Sequence, residues 1–487
     1  MEHNIYDIVI VGAGPAGLAL AQCVDYKKIL IIDDNVNVGG CHRVRRVPYK
    51  NEMLFTEHGP RIYSDTYSTF KKLLNKMGVD FYTFYKKYNF NIGTIGGDTL
   101  FSTLSYDELA TFISPFLNLI IDDSYGMNIN LYEFINHKRF KDTSIEMIDR
   151  LCRLSDGGDS HKFTLNEFLQ LLNQQFFYNL YQPIIPNDIG IFKIWHNYLL
   201  SKNVEFLNTT TLSDIYLNNN FVESISVTNK LSGNVKRIYT KKLILAVPPT
   251  SLYNILKNNQ LLIDCFGKGL KEYSQETAYA NYLSMTFHWD TFVHLKDIYG
   301  FPKSIWGVVF IISTNYTHFT ENNSKTVISA AVTITNSIAP RINKTADECS
   351  EHELLLETFN QLKETFGNDT PIPTVSILSP GVVRDEQQQK WVSTDNAFIL
   401  SSKYTPLPFK SNTIHNLYNL GTHNGKSLYH FTSLESAVSN AVVLAKQLSC
   451  NCDINITRSY TLVDIMKLLV IIIFIFFVYN RINRKIK

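Results

Sequence analysis

The fold is decided by residues 5–34, which read IYDIVIVGAGPAGLALAQCVDYKKILIIDD. Residues 5–11 are nearly all apolar, which predicts a strand buried on both faces. Three glycines follow in the pattern GxGxxG, and a helix is predicted over residues 16–23. A second apolar run, Ile29–Ile32, predicts the next strand. Strand, glycine turn, helix and strand in this order indicate a parallel α/β unit with a dinucleotide-binding turn.

Each glycine of the turn has a physical task in such a site. Gly12 permits the sharp exit from the strand, the missing Cβ of Gly14 lets a pyrophosphate approach the backbone, and Gly17 lets the helix pack closely on the sheet. The N-terminus of the helix, with its unpaired N–H groups and partial positive charge, then faces the phosphates. The cofactor-binding residues predicted here are Gly12, Ala13, Gly14, Pro15, Ala16 and Gly17.

An acid at the end of the second strand completes the unit. Asp33 is expected to accept hydrogen bonds from the ribose hydroxyls of an adenosine, since a free 2′-hydroxyl suits a carboxylate better than a 2′-phosphate does. The alternative is a glycine-rich turn that only packs a helix onto a sheet. Because the strand, the helix and the acid are all present, the sequence favours a dinucleotide site.

Composition limits the remaining possibilities. A chain of 487 residues exceeds one simple core, so two domains are expected, and 45% hydrophobic with 18% charged residues is typical of a globular protein. A net charge of +2 provides no broad basic surface for nucleic acid. The seven cysteines are odd in number and irregularly spaced, which favours reduced intracellular thiols. Cys450 and Cys452 have no His or Cys partners nearby in the sequence, so no metal site is expected.

The C-terminal stretch is apolar enough to enter a membrane. Residues 468–479 read LLVIIIFIFFVY, and a helix over residues 462–479 would be about 27 Å long, close to the thickness of the hydrocarbon core of a bilayer. Lys467 can extend toward the headgroups, and the basic residues after Tyr479 would lie against anionic lipid. A buried core helix and an amyloid-like strand are the alternatives. The position after the globular pattern favours a tail anchor, with the membrane as its partner.

Two opposing signals bear on the orientation of this anchor. The positive-inside rule places the basic tail in the cytosol and the body outside. The N-terminus carries no secretory signal, because its first apolar stretch is the nucleotide-binding strand, so the body is expected to stay in the cytosol. We give the missing signal more weight, since a short tail can be inserted after synthesis. The mitochondrial outer membrane and the endoplasmic reticulum both fit.

Further glycines and a basic residue follow the acid. Gly39 and Gly40 come soon after Asp33 and allow another close approach of the backbone to a cofactor. A turn at Gly59-Pro60 precedes Arg61, which is a ready partner for an anion.

The N-terminal unit, the double glycine and the turn from Glu57 to Arg61 together resemble the flavin amine oxidase superfamily. This superfamily includes the monoamine and polyamine oxidases, protoporphyrinogen oxidase and the phytoene desaturases. The resemblance implies FAD as the cofactor. In the superfamily an Arg or Lys usually follows the double glycine. Here Cys41 holds that position, and Arg43 is the residue expected to contact phosphate.

The middle of the chain contains regions with the pattern of helices and regions with the pattern of strands. Residues 66–195 have apolar positions at helical spacing, residues 191–256 predict strands, and a clear helix is predicted over residues 349–367. In the superfamily a strand at the position of Leu212 touches the adenine, so the resemblance implies Leu212 as a cofactor contact. Lys303 is a candidate for the lysine that holds a water at flavin N5 in amine oxidases, although a solvated lysine at a strand end is favoured.

The last informative stretch is a strand over residues 417–420 and the helix after it. The strand ends at Gly421, and the helix begins near Ser433, with Thr432 and Glu435 at the spacing of a capping box.

The resemblance gives this helix a role at the flavin. Its N-terminus, with Ser433 and Leu434, is expected to face the N1–C2=O edge and to stabilise the negative charge of reduced flavin. An acid usually follows Gly421 and binds the ribityl chain, whereas here Thr422 provides a hydroxyl. The amine oxidases place a cage tyrosine where Ser433 stands, so a primary amine substrate is less favoured. No side chain is predicted as a catalytic acid or base.

The resemblance implies an α/β fold with a discontinuous Rossmann-type FAD-binding domain, an inserted α+β substrate domain and a C-terminal membrane helix. The FAD-binding domain is expected over residues 1–75, 191–256 and 405–450, and the substrate domain over residues 76–190 and 257–404.

The implied activity is that of an FAD-dependent oxidoreductase of the amine oxidase or desaturase type, which transfers a hydride from a C–N or C–C bond to flavin N5. The membrane tail and the missing tyrosine favour a hydrophobic or prenyl-like small molecule as substrate. Two alternatives remain: a prenyl-protein escort or GDP-dissociation-inhibitor-like binder without redox chemistry, and a flavin mutase of the UDP-galactopyranose type. The intact GAGPAG motif and Asp33 argue against the first.

Overall fold

A computed structural model describes residues 5–59, 61–89, 94–95, 98–267, 269–276, 282–296, 303–319, 323–394, 406–428, 432–449 and 451–486. The strands before residue 250 are β1 (Ile5–Tyr6), β2 (Ile8–Val11), β3 (Ile29–Ile32), β4 (Val44–Tyr49), β5 (Glu52–Glu57), β6 (Tyr63–Ser64), β7 (Tyr85–Tyr88), β8 (Thr94–Ile95), β9 (Asp98–Thr99), β10 (Leu180–Pro183), β11 (Glu205–Leu207), β12 (Thr210–Asn218), β13 (Phe221–Asn229), β14 (Val235–Thr240) and β15 (Leu243–Leu245). The later strands are β16 (Leu283–Trp289), β17 (Val309–Ile312), β18 (Thr326–Val332), β19 (Val375–Leu378), β20 (Val382–Asp385), β21 (Lys390–Ser393) and β22 (Leu417–Asn419).

The α-helices of the described residues are distributed along the whole chain. They are α1 (Pro15–Cys23), α2 (Ser68–Lys76), α3 (Phe81–Phe84), α4 (Leu100–Thr103), α5 (Tyr106–Thr111), α6 (Ile113–Ile121), α7 (Leu131–His137), α8 (Asp142–Asp156), α9 (Leu165–Gln175), α10 (Ile191–Ser201), α11 (Pro249–Leu256), α12 (Leu270–Glu276), α13 (Glu351–Phe366), α14 (Leu434–Leu448) and α15 (Leu462–Ile486).

Five parallel strands form the sheet that carries the glycine turn, in the order β11-β3-β2-β15-β22. Strands β2, β3 and β15 are apolar and buried at every position, as parallel strands covered on both faces require. The register aligns their carboxyl ends, because Val11 lies opposite Ile32 and Leu245, and Leu245 lies opposite Asn419. The residues that follow these strands therefore meet at one edge of the sheet.

Each face of this sheet is covered by a different layer. On one face, Ile8 and Ile31 pack with buried residues of α1, α10 and α14. On the other face, Val9 and Leu30 pack with buried residues of β13, β14 and α11. Strands β12, β13 and β14 form an antiparallel sheet that β1 joins in parallel. This arrangement confirms the predicted Rossmann-like α/β unit.

The remaining elements form two further cores. The antiparallel sheet β17-β18-β16-β19 packs against α13, where Phe287 and Phe359 are in ring contact. Helices α4 to α9 enclose a separate core, with Phe112 in ring contact with Phe168. The helix predicted over residues 349–367 is confirmed as α13.

Some boundaries differ from the sequence prediction. Residues 5–11 form two strands, because Tyr6 pairs with Thr240 in the antiparallel sheet and the chain then crosses at Asp7 into the parallel sheet. Residues 191–201 form a helix instead of strand, since Ile191, Trp195 and Leu199 recur at helical spacing and are buried. The strands β7, β8, β9 and β10 interrupt the region for which the sequence predicts mostly helix.

The apolar C-terminal stretch forms α15. Its residues Leu462–Ile482 are long and apolar enough to cross a membrane, and only 6% of the apolar window is buried inside the protein. The first turn is fixed to the body, because the Val463 N–H donates to Asn173 Oδ1 at 2.8 Å and Thr461 and Asp464 cap each other. Helix α15 also contacts α6 and α9.

The start of α14 differs from the predicted capping box. Ser433, not Thr432, is the N-cap, and its hydroxyl accepts a backbone N–H of the first turn at 3.0 Å. The Glu435 carboxylate caps α2 instead, because it accepts the N–H groups of Thr69 and Phe70 at 2.7 and 2.9 Å. Burial raises the pKa of Glu435 to about 7.

Glu435→Gln should therefore remove part of the pH dependence of stability. The carboxyl group titrates near 4.5 in the unfolded chain and near 7 in the folded chain, so the folded state loses stability as the pH rises from about 4.5 to about 7. We expect the unfolding free energy of the wild-type chain to fall relative to that of the variant across this range, by about 1–3 kcal/mol. Urea unfolding of both full-length proteins in detergent, from about pH 5 to pH 8, measures this difference. Parallel pH profiles would contradict the raised pKa.

Candidate functional site

A cavity of about 580 Å³ follows the carboxyl edge of the parallel sheet. The residues directly after four of the strands line it: Gly12 follows β2, Asp33 follows β3, Ala246 follows β15 and Leu420 follows β22. This is the edge at which open α/β sheets bind ligands. The predicted site residues that line the cavity are Gly12, Gly14, Pro15, Ala16, Asp33, Gly40, Arg43, Gly59, Arg61, Gly421, Thr422, Ser433 and Leu434.

The glycine turn brings backbone segments into direct contact at the start of α1. Gly12 has a φ of +112°, and a Cβ there would lie 2.3 Å from the carbonyl oxygen of Ala246. A Cβ on Gly17 would lie 2.0 Å from the carbonyl oxygen of Gly12. A Cβ on Gly14 would meet only the Cα of Gly40, at an ordinary 3.7 Å. The fold therefore requires Gly12 and Gly17, whereas Gly14 leaves open space on the cavity side.

Asp33 is held in place by backbone donors. Its Oδ2 accepts the Ala13 N–H at 2.7 Å, and its Oδ1 accepts the Asn35 N–H at 2.8 Å. Burial raises the pKa of Asp33, while these hydrogen bonds lower it. Asp34, Asn35 and Lys230 line the same end of the cavity, with Lys230 Nζ 3.2 Å from Asp34 Oδ2. A carboxylate at a fixed position in this wall suits ligand hydroxyl donors.

The two glycines after the acid have different surroundings. Gly40 lines the cavity, and a Cβ on it would lie 3.0 Å from the Cα of Gly14. Gly39 turns away, because a Cβ on it would meet the ring of Phe192 at 3.1 Å and its N–H donates to the carbonyl of Ala13. Gly40 is therefore part of the wall, and Gly39 fastens the loop behind it.

Two arginines line the wall near this loop. The guanidinium of buried Arg61 donates to the carbonyl of Cys41, and the Arg61 carbonyl accepts from the Gln182 amide. Burial raises the pKa of Glu57 to about 7, and the charge of Arg61 opposes that rise. Arg43 also lines the cavity. Guanidinium groups at this place suit an anionic ligand such as a phosphate.

The turn after β22 places a buried histidine ring in the cavity wall. The Asn419 amide nitrogen donates to the carbonyl of Pro408, so Asn419 Oδ1 faces Nε2 of His423 at 2.9 Å. Because Oδ1 can only accept, Nε2 carries the hydrogen and Nδ1 keeps its lone pair. His423 is 5% exposed and lines the cavity, and its Nδ1 has no partner among the described residues. Burial lowers the pKa of His423 to about 4, so the ring stays neutral.

Helix α14 directs its N-terminus at the cavity. Ser433 and Leu434 line the wall, as does Thr432, whose buried hydroxyl has no partner within the described part of the chain. The 15-residue helix places a partial positive charge at this point. Asn440 on α14 donates to the carbonyl of Gly421 at 2.8 Å, which ties the turn after β22 to the helix.

Comparisons with known proteins show which proteins have a similar sequence motif and a similar fold. A family model for NAD(P)-binding Rossmann-like domains matches residues 10–77, which contain the glycine turn and Asp33. Wild-type putrescine oxidase bound to putrescine is 15% identical, with a TM-score of 0.61 over 91% of this chain and 98% of that chain. Cyclohexylamine oxidase from Brevibacterium oxydans IH-35A is 12% identical, with a TM-score of 0.56 over 91% of this chain and 99% of that chain. The chain has the amine oxidase fold.

Two further comparisons complete this result. An oxidoreductase from Methanosarcina mazei is 12% identical, with a TM-score of 0.58 over 90% of this chain and 99% of that chain. A search of curated protein sequences gave no match. The resemblance to the flavin amine oxidase superfamily that the sequence motifs indicate is confirmed at the level of the fold.

In this amine oxidase fold, part of the cavity wall comes from outside the parallel sheet. These lining residues are mostly uncharged and include Ile62, Tyr67, Leu171, Gln175, Leu180 and Tyr282. The carboxylates of the described lining are Asp33 and Asp34, both directly after β3. Lys303 lies at the surface with its side chain 80% exposed and 3.7 Å from Glu146, so the expectation of a solvated lysine is confirmed.

Leu212 is not brought to the cavity. It lies on β12, pairs with Val227 and packs against the core beneath the parallel sheet. The N–H of Thr210 at the start of β12 donates to the carbonyl of Asp33, two residues before the partly buried Leu212. The adenine contact that the resemblance implies at Leu212 stays a prediction. Three further predicted residues do not line the cavity but pack next to residues that do: Ala13, Gly17 and Gly39. The predicted residue Pro60 lies outside the described residues.

Several lining residues were missed by the sequence reasoning. His423 follows the predicted pair Gly421-Thr422, so extending that motif by one residue would have found it. Val247 and Pro248 follow β15, where two prolines mark the strand end. Lys230 carries no sequence signal, because the turn between β13 and β14 reaches the cavity only through the pairing of the second sheet.

Gly17→Ala should destabilise the amine oxidase fold, whereas Gly14→Ala should not. The added methyl at position 17 would lie 2.0 Å from a carbonyl oxygen, while at position 14 the nearest atom is 3.7 Å away. We expect a loss of about 3 kcal/mol or more for Gly17→Ala and less than about 1 kcal/mol for Gly14→Ala. Chemical unfolding of the two full-length variants measures this difference. Equal stability of the two variants would contradict the close approach at Gly17.

Proposed function

We propose that this chain is an FAD-dependent oxidoreductase of the amine oxidase or desaturase type. The observation that carries the proposal is one cavity whose wall contains the carboxylate of Asp33, the glycine turn at the N-terminus of α1 and the N-terminus of α14. A dinucleotide needs these three groups along one wall. It needs a partner for the ribose hydroxyls, a backbone that the phosphates can approach closely, and a polar helix end beside its second ring system.

The residues present fit FAD. Gly14 and Gly40 leave a cradle that side chains would fill. The Nδ1 atom of His423 and the hydroxyl of Thr432 are buried in residues of the cavity wall and have no partner among the described residues. Asp33 would hold the adenosine ribose. The other residues proposed to hold the cofactor are Gly12, Pro15, Ala16, Gly40, Arg43, Gly59, Arg61, Gly421, Thr422, Ser433 and Leu434.

When bound, FAD supplies a two-electron acceptor at N5 for a hydride from a C–H bond, as a C–N or C–C single bond of the substrate becomes a double bond and its second hydrogen leaves as a proton. The chain supplies positioning and charge. The N-terminus of α14 would stabilise negative charge at the ring edge beside Ser433, through its dipole and free N–H groups. Neutral His423 would accept a hydrogen bond from the cofactor at Nδ1, with Asn419 fixing the tautomer.

The lining favours an uncharged, lipophilic substrate. An ammonium group needs a carboxylate or an aromatic cage, and the carboxylates of the described lining both lie after β3. Leu171 and Gln175 of α9 line the cavity, and α9 contacts the apolar helix α15. A substrate that dissolves in the bilayer would find the cavity close to the membrane surface.

We propose a division of the chain that follows the sheet. The parallel strands come from three separate segments, which supports an FAD-binding domain of residues 1–75, 191–256 and 405–450. The inserted substrate domain would comprise residues 76–190 and 257–404. Helix α15 would anchor the protein in a mitochondrial outer or endoplasmic reticulum membrane, with the body in the cytosol.

An absorbance spectrum of the full-length protein purified in detergent tests the proposal. We expect flavin absorbance that bleaches anaerobically with a polyene or another lipophilic substrate, and less readily with amines or polyamines. Colourless protein that refuses added FAD would instead indicate an escort-like binder. Flavin absorbance with turnover of a nucleotide sugar and no oxygen or quinone consumption would indicate a mutase.

Gly14→Val should abolish retention of FAD while the chain still folds. The side chain would fill the space in which a pyrophosphate approaches the backbone. Gly78→Asn is the matched control, because Gly78 also has open space but lies outside the cavity lining, and Asn tolerates its φ of +77°. The measurement is the ratio of flavin to protein after purification, together with the thermal midpoint of each apoprotein. Retention of FAD by the Gly14→Val protein would exclude this phosphate site.

His423→Phe should weaken FAD binding by about tenfold, because a ring of similar shape lacks the acceptor at Nδ1. His423→Gln retains an amide acceptor and should lose less. Quenching of flavin fluorescence on titration into the apoprotein gives both dissociation constants. An affinity of the Phe variant equal to that of the wild-type protein would show that Nδ1 makes no cofactor contact.

A further inference from the structure

Helix α6 exposes an apolar face beside the base of α15. Ile113, Leu117 and Ile121 lie four residues apart, so they share one face of the helix, and they are 58%, 46% and 88% exposed. Pro115 and Leu119, on the opposite side, are buried. The helix is therefore well packed, and its outer face carries apolar side chains where a soluble surface normally carries polar ones.

Helix α6 itself lies against the base of α15. The two helices are in contact, and Val463 of α15 lies in the same core as Leu119 of α6. From Leu468 to Tyr479, α15 exposes apolar side chains on all sides. A bilayer that receives α15 would thus begin next to α6.

The flanks of α6 set how deeply it could enter lipid. Asp122 and Asp123 directly follow the helix and are exposed, so this end must remain at the level of the headgroups. Tyr106 is exposed on α5, which also contacts α6, and tyrosine is enriched at the boundary between membrane and water. An apolar face with polar flanks is the pattern of a helix lying in the interface.

We propose that the α6 face formed by Ile113, Leu117 and Ile121 inserts into the headgroup boundary of the bilayer that α15 crosses. This inference rests on the proposed membrane anchor. Once α15 has entered a bilayer, lipid would surround its base, and a soluble partner or a second copy of the chain would have to displace that lipid to reach α6. Two contacts, one spanning and one interfacial, would fix the tilt of the body and hold α9, a wall of the cavity, near the membrane surface.

Tryptophan quenching by brominated lipid tests the contact in the full-length protein. The four native tryptophans are buried, so they give a constant background. Leu117→Trp reports on the α6 face, Phe474→Trp on the anchor, and Leu231→Trp, on the exposed turn between β13 and β14, serves as the control. Each variant is reconstituted in phosphatidylcholine vesicles with and without brominated acyl chains. We expect the fluorescence added by Leu117→Trp and Phe474→Trp to fall about twofold or more, and that of Leu231→Trp to stay unchanged.

The outcomes separate the two membrane contacts. Quenching at positions 474 and 117 but not at 231 supports the interfacial contact. Quenching at 474 without quenching at 117, repeated with Ile121→Trp, overturns it and leaves the anchor standing. Absence of quenching at 474 overturns the anchor and this inference with it. Shielding at 117 that grows with protein concentration identifies a second copy of the chain and also overturns the lipid contact.

Discussion

The close approach of Gly17 to the carbonyl of Gly12 is the contact on which the rest of the structure depends. A Cβ at position 17 would lie 2.0 Å from that oxygen, so only glycine lets α1 start directly at the edge of the sheet. Gly12 in turn lies so close to the carbonyl of Ala246, which follows β15, that a Cβ would not fit between them. The first helix, its strand and a strand more than 230 residues later are thereby packed backbone against backbone. Every cavity residue near the turn takes its position from this packing.

The parallel register then brings residues from distant parts of the chain to one cavity. Gly12, Asp33, Ala246 and Leu420 follow strands whose ends are aligned, and they line the same cavity. Helices α1 and α14 both bring an N-terminus to this wall, so two regions of partial positive charge lie along it. Asp33 contributes negative charge after β3. This distribution is what an extended anionic ligand with a hydroxylated end requires.

The cavity is also connected to the apolar helix through α9. Leu171 and Gln175 line the cavity, while Asn173 of the same helix accepts the N–H of Val463 at the start of α15. The element that would border the substrate therefore also holds the element proposed to enter the membrane. The preference for a lipophilic substrate and the membrane location would then both depend on α9, because this buried helix borders the cavity and also holds the start of α15.

The sequence by itself determined the features that depend on neighbouring residues. The buried strands β2 and β3, the glycine turn between them, helix α13 and the apolar helix α15 follow from local periodicity and from the backbone freedom of glycine. Most predicted lining residues also follow from this, because each lies within a few residues of a strand end or a helix start. Helix α10 carries the same local signal, because Ile191, Trp195 and Leu199 recur at helical spacing.

Tertiary structure decided what depends on pairing between distant segments. Partly buried Leu212 packs against the core because of the register of β12, and Lys230 reaches the cavity through a turn of the second sheet. Glu435 caps α2 and not its own helix, because α14 packs beside α2. The tautomer of His423 depends on Asn419, whose amide is oriented by Pro408. No sequence pattern specifies such contacts, since each arises only when the elements are packed together.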